Sequence, residues 1–447
     1  MAEITAPQPQ HRGGKGAHAL ALTLRRRAGT LASWLLVGLI VAYGAGVLIV
    51  VAQPAHVQQD LQVYYYAARA WLAGLDPYDN AVLSVLAGRV IELPFVYPPF
   101  TLPLFVPLAQ LSEPTAAALW VILKGALLAG LLALWRVHFA PPDARMAHLL
   151  LFCLLAYNTA LFVDFSTGNT TVLEQAAIWV GLFFLLAGRP ALFCLCIVLA
   201  SAFKVTPLLL LPLLWLGRGR HRTLHLALAL LAYALVSAAA ARAAPALFQG
   251  FLRNLLVQGA NAGERGAVNP CSLALAQDLA RLLTGRSSGL WPYLLYALPA
   301  IAVLWTTIRA LRRLSRAAPT AGRARIALYL ALCAYALILP RFKVYAYILL
   351  LIPTGYLALH PGIAKPAGAF AYLLPLIGLP GARIPLLPGL GPMQHYVAEY
   401  LPLLVATLTW ALYVRACWRV EAAASPAPSS VAPHRPPGDD SATAVGP

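Results

Sequence analysis

Apolar runs close to a bilayer's thickness, separated by short basic loops, constrain this chain more than any other feature. A helix crosses the hydrocarbon core in ~20 residues, and runs of about that length recur from residue 31 to residue 416. Of the 447 residues, 60% are hydrophobic and 11% charged, against roughly 25% charged in soluble domains. The pattern predicts an all-α, polytopic transmembrane helical bundle of about twelve spans. They fall at 31–52, 98–111, 115–134, 146–164, 171–187, 191–216, 223–243, 291–311, 326–340, 344–360, 366–380 and 398–416. Residues 1–30 read as a basic cytoplasmic segment. Residues 31–420 form the membrane domain, whose first span is an uncleaved anchor. Residues 421–447, rich in Ala, Pro and Ser, read as a disordered tail.

The net charge of +18 invites a nucleic-acid partner, and its distribution argues against one. The basic residues crowd into short loops, where cytoplasmic Lys and Arg set orientation. With 1–30 inside, alternation places Arg218, Arg220 and Arg222 inside, with 312–325 and 415–419. Loops 53–95, 188–190, 244–290, 341–343 and 381–397 then share the outer face. The 165–170 turn falls inside, unless 171–187 is partly re-entrant. Cys194 and Cys196 are two apart, the wrong spacing for a CxxC pair, and the other cysteines suggest neither disulfides nor zinc.

The first outer loop is the polar exception. In Gln58–Asp79, Leu61, Tyr64, Tyr65, Ala68 and Leu72 fall at helical spacing on one face, with Gln62, Tyr66 and Arg69 on another. This predicts an amphipathic helix lying in the membrane interface, tyrosines at headgroup depth. Asp60 is a candidate active-site carboxylate or, more simply, the helix N-cap; Gly74 ends the helix. Asp76-Pro77-Tyr78-Asp79 reads as a turn. Asp76 and Asp79 are three apart and form no D-x-D pair, so no obligatory divalent metal is expected; no cofactor is expected either. His56 reads as a loop histidine. Tyr97-Pro98-Pro99 opens a short second span broken by Pro103 and Pro107.

Ionisable groups inside spans usually have partners or a function. Lys204, beside the helix-breaking Pro207, suits a phosphate in a cavity or, alternatively, a buried partner for Asp164 or Glu174. Lys124 and Arg242 read as snorkelling or structural. Asp164 and Glu174 read as polar packing. Arg341 and Lys343, two apart at a span boundary on the outer face, form either a phosphate clamp or an aromatic-flanked interfacial anchor. Asn254, Asn261 and Asn269 are candidates for contact with sugar hydroxyls.

In order along the chain, these residues resemble the glycosyltransferase family 87 pattern, of the GT-C superfamily. Asp60, Tyr64-Tyr65-Tyr66-Ala67-Ala68, Gly74-Leu75-Asp76-Pro77-Tyr78 and Tyr97-Pro98-Pro99 are similar to its opening motifs. Lys204-Val205-Thr206-Pro207 is similar to its Lys-x-x-Pro motif, and Pro340 to Tyr347 to its late segment. Gly168-Asn169-Thr170-Thr171 departs from Gly-Gln-x-Asn at both polar positions. The late segment lacks the histidine some members carry. The resemblance covers about residues 55–355.

The resemblance implies a hexosyltransferase in the cell (inner) membrane, moving mannose from a polyprenyl-phosphate donor to a lipid or glycan acceptor on the extracytoplasmic face. Such a reaction needs one base for the acceptor hydroxyl, assigned to Asp60. The departing lipid phosphate needs cations, assigned to Lys204, Arg341 and Lys343. Tyr64, Tyr97 and Asn169 are assigned to substrate binding. A single base with no covalent carboxylate implies inversion. Competing readings are a transporter or lipid flippase, a lipid-diphosphate-linked glycan ligase or polymerase, and a structural scaffold.

Overall fold

The computed structural model describes residues 58–422 except 143, 145, 218–220, 261–263, 317–319 and 360–391, and parts of 31–49. His56, Asn261 and the expected span at 366–380 lie outside the described residues, as do 1–30 and 423–447. Among the described residues every regular element is helical. Four helices are long and apolar enough to cross a membrane: Glu113–Phe139, Arg222–Ala243, Leu290–Ser315 and Leu401–Arg419. A fifth candidate is the pair Phe152–Thr167 and Thr171–Leu186, bent by 118°. Ile122, Leu228, Leu235, Leu298, Ile301 and Trp305 stand exposed on the long helices, as side chains facing lipid do. The protein is therefore a membrane protein built of helices.

Several expected spans are shorter or broken. The proline-rich segment runs from a 3-10 turn at Pro99–Thr101 into a helix at Leu102–Ala109. The expected span 191–216 divides into Pro190–Ser201 and a 3-10 stretch at Thr206–Leu216, with Lys204 in the break. Pro207 and Pro212 each lack the backbone N–H a regular helix needs. The region 244–290, expected to be a loop, contains helices Pro245–Ala260 and Ser272–Thr284.

The tyrosine helix, Gln59–Leu72, is packed on most of its surface rather than presenting one apolar face. Tyr66, expected on the polar face, is buried with Leu61, Val63, Tyr64 and Tyr65. Hydroxyls make this possible: Tyr65 donates to the Leu111 carbonyl at 2.7 Å, and Tyr66 donates to Glu113 Oε2 at 2.8 Å. Burial, then the Glu113 hydrogen bond, push the Tyr66 hydroxyl up to about 12, so it remains a donor. The N-cap is Gln58, and Asp60 lies in the first turn, where a carboxylate complements the unpaired N–H groups. The helix ends as expected at Gly74, whose φ of 71° suits a residue without Cβ. Leu75 N bonds to Ala70 O at 2.9 Å and Gly74 N to Trp71 O at 3.1 Å, a Schellman closure.

Two apolar clusters result. One surrounds the tyrosine helix and includes Phe95, Phe105, Trp120 and Phe251. The larger includes Trp135, Trp179, Ile178, Tyr335 and Leu349.

Candidate functional site

A cavity of about 390 Å³ lies at the seam of these clusters, walled by Val63, Tyr64, Tyr97 and Phe251 from one and Ile178, Tyr335 and Leu349 from the other. The seven residues assigned to catalysis, phosphate binding or substrate binding, Asp60, Tyr64, Tyr97, Asn169, Lys204, Arg341 and Lys343, all line it.

The acidic side is assembled by the Gly168–Thr170 turn. Alternation of twelve spans put this turn on the face opposite Asp60 unless 171–187 was partly re-entrant; the 118° bend brings it against the tyrosine helix, as that exception allows. Gln58 N donates to Ser166 O at 2.9 Å. Gly168 has φ +71°, and a Cβ there would stand 2.8 Å from Gln58 Cβ and 2.9 Å from Leu61 Cβ. The backbone can approach this closely only without a side chain.

Two residues one turn apart on the Glu113–Leu134 helix hold the turn from behind. Trp120 Nε1 donates to Gly168 O at 2.8 Å, and Lys124 Nζ to Asp164 O at 2.6 Å. Lys124 also pairs with Asp164 Oδ2 at 2.7 Å, both side chains fully buried. Lys124 therefore does not snorkel: an ammonium removed from water needs a carboxylate of its own.

Asn169 is oriented by its own neighbours. Its Oδ1 accepts from Thr171 N at 3.1 Å and Thr171 Oγ1 at 2.7 Å. That network assigns the oxygen end of the amide and turns the nitrogen outward. Nδ2 donates to Asp60 Oδ2 at 2.8 Å and reaches Tyr64 OH at 3.4 Å. The departure from the family's Gly-Gln-x-Asn pattern thus carries a partner for Asp60. Tyr64 OH meets Tyr97 OH at 2.9 Å, which meets Thr170 Oγ1 at 3.2 Å. Burial raises both phenols above their ordinary range, so they act as neutral hydroxyls.

The cationic side combines the alternatives left open in the sequence. Lys204 Nζ pairs with Glu174 Oε2 at 2.8 Å, bonds to Thr171 Oγ1 at 3.1 Å, and lies 5.1 Å from the centre of the Tyr345 ring. It is both a partner for Glu174 and a wall of the cavity. Arg341 donates to Gln258 O at 2.7 Å and pairs with Glu264 Oε2. Lys343 reaches the same Glu264 oxygen at 2.9 Å. Neither cation is a simple interfacial anchor.

Two sugar-contact candidates belong elsewhere. Asn254 donates to Tyr78 O at 2.9 Å and Phe95 O at 3.1 Å, inside the packing under the first loop. Asn269 donates to Glu264 O at 3.1 Å and accepts from Phe342 N at 3.1 Å. Both satisfy buried backbone. Sequence reasoning missed Glu174, Tyr345 and Gln258 as cavity residues and Glu264 as the partner of two cations. For Glu174 the signal was present, a carboxylate inside an apolar run within the same chain as an intramembrane lysine.

Fold and site together define a membrane protein, helical in its described residues, with a cavity that is lined both by one amide-bound carboxylate and by a group of cations. The description "Glycosyltransferase family 87" matches residues 95–340, more than half of the chain, and the chain belongs to that family. Asp60 precedes the matched region. The chain is also similar to the polyprenol-phosphate-mannose-dependent alpha-(1-2)-phosphatidylinositol mannoside mannosyltransferase of Mycobacterium tuberculosis (strain ATCC 25618 / H37Rv), at 31% identity over 146 residues. That alignment spans 30% of this chain and 33% of the relative, about a third of the relative's length. No solved structure matches the chain.

Proposed function

We propose that this protein is an inverting membrane hexosyltransferase, taking mannose from a polyprenyl-phosphate donor to a lipid or glycan acceptor. Family membership and the mannosyltransferase relative support the transferase class and the donor. The observation that carries the residue roles is the shared cavity of Asp60, Asn169, Lys204, Arg341 and Lys343.

In this reading Asp60 is the general base. The acceptor hydroxyl gives its proton to Asp60 while its oxygen bonds to the anomeric carbon. The bond from that carbon to the phosphate oxygen breaks, and the phosphate leaves with the electron pair. A positioned base contributes roughly 10²–10⁴-fold. The leaving group is already a stable anion, so no second acid is required. Lys204, Arg341 and Lys343 gather the charge that develops on the phosphate. Tyr64, Tyr97 and Asn169 offer hydroxyls and an amide to the sugar and orient the base.

The apolar walls, including Val205, Phe251, Leu255 and Leu349, suit a prenyl chain. We assign the protein to the inner membrane, with the cavity on the extracytoplasmic face. The short apolar helices Pro99–Ala109, Pro190–Ser201, Thr206–Leu216 and Val344–Leu359 would complete a GT-C-type bundle around the long spans. In this reading the far end of the tyrosine helix lies at headgroup depth, which the exposed Trp71, Leu72 and Leu75 would suit. Residues 31–420 form one membrane domain.

The test is transfer of label from polyprenyl-phosphate mannose to lipid in membrane vesicles. Wild type transfers and Asp60→Asn binds donor without turnover. Absence of transfer from any polyprenyl-monophosphate sugar would sink the donor assignment.

A further inference from the structure

We propose that Glu264, which is not part of the cavity wall, is a specificity-determining residue that fits the donor pocket to a lipid phosphodiester of one negative charge. The inference rests on the donor reading above and deepens it.

Three cations line the cavity: Lys204, Arg341 and Lys343. Lys204 is matched by Glu174 at 2.8 Å, so this pair presents little net charge. Arg341 and Lys343 both lean on one oxygen of Glu264, Lys343 at 2.9 Å. The other Glu264 oxygen accepts from Gln258 Nε2 at 3.2 Å, and Gln258 O in turn accepts from Arg341 at 2.7 Å. Glu264 is thus bound into a closed network with both cations. In formal charges, the Arg341–Lys343–Glu264 group carries a single net positive charge. Asp60 lines the same cavity and is met at 2.8 Å by the Asn169 amide, an uncharged partner that does not cancel its negative charge.

A sugar phosphodiester on a lipid carries one negative charge; a sugar diphosphate on a lipid carries two. The first matches the cation group that Glu264 leaves behind. The second brings an extra negative charge into a low-dielectric cavity that already holds Asp60, where like charges are costly. Discrimination between donor classes then comes from a carboxylate that holds the cations without being displaced. Replacing it by an amide raises the group by one charge and removes the penalty on the diphosphate.

The experiment measures binding of two short-chain probes, prenyl-phosphoryl-mannose and prenyl-diphosphoryl-mannose, to the full chain in detergent. Wild type is expected to favour the monophosphate probe. Glu264→Gln is expected to shift the ratio towards the diphosphate probe by at least about fivefold, the lower end of ordinary coupling between groups. Glu264→Asp, which keeps the charge, is expected to keep the wild-type ratio. Equal loss of both probes in Glu264→Gln would show Glu264 to be only a structural clamp and would overturn the proposal. A wild type that prefers the diphosphate probe overturns it without any variant. Binding is read apart from turnover: a wild type with the expected ratio but no transfer would refute the transferase reading and leave the charge match standing.

Discussion

Asn169 donates its side-chain amide to Asp60 at 2.8 Å across 109 residues of chain. This one bond joins the start of the tyrosine helix to the turn inside the bent helix pair. Thr171 fixes which end of the amide faces Asp60. Asn169→Ala should lower kcat by ~10²-fold, on top of any rise in donor KM from its lost sugar contact, because a misplaced base loses alignment. Steady-state kinetics with saturating donor checks this. A KM effect alone would make Asn169 a binding group instead.

Gly168→Ala should damage the same site from the backbone side. The new Cβ would meet Gln58 Cβ at 2.8 Å and must adopt a φ of +71°. Such strained backbone costs of order 1–3 kcal/mol, before the clash is added. Thermal unfolding in detergent should show a lower midpoint, and activity should fall with it. Unchanged stability would mean the turn is not packed as closely as described.

The Lys124–Asp164 pair makes a test of charge burial. Both side chains are fully enclosed, 2.7 Å apart. Lys124→Met alone strands a carboxylate and should cost about 3–5 kcal/mol. The double variant Lys124→Met with Asp164→Leu removes both charges and should recover much of that loss. Equal destabilisation by single and double variants would mean the ion pair is not the source of the cost. Trp120, on the same helix face, also bonds the turn, so activity need not recover with stability.

How much of this was legible in the sequence depended on the range of the interaction. The tyrosine helix, its stop at Gly74 and the proline-broken segment after Tyr97 are local, and periodicity and ring chemistry carry them. The burial of Tyr66 was not legible, because its partner Glu113 is 47 residues away. Counting spans put the 165–170 turn on the face opposite Asp60 unless 171–187 was partly re-entrant, and the bent pair with its Asn169–Asp60 bond fits that exception. Counting assumes each apolar run crosses, and a 118° bend breaks that assumption. The seven candidate residues that share the cavity could be singled out because charges and motifs stand out in an apolar chain. Glu264 was invisible for the opposite reason: it is one charge in a polar stretch, and only the fold brings it to Arg341 and Lys343.

Lys204 provides a prediction in which binding and structure separate. Lys204→Ala should weaken donor binding and also leave Glu174, which is nearly buried, without its cation. Lys204→Ala combined with Glu174→Gln removes the stranded charge and should recover stability but not donor affinity. Recovery of both would assign Lys204 to structure alone.

The most direct measurement is sugar transfer in inner-membrane vesicles, with radiolabelled polyprenyl-phosphate mannose and endogenous lipid acceptors, comparing wild type with Asp60→Asn. The account predicts transfer by wild type and a loss of roughly 10²–10⁴-fold in the variant, with donor still bound. Transfer at the wild-type rate without the Asp60 carboxylate would contradict it.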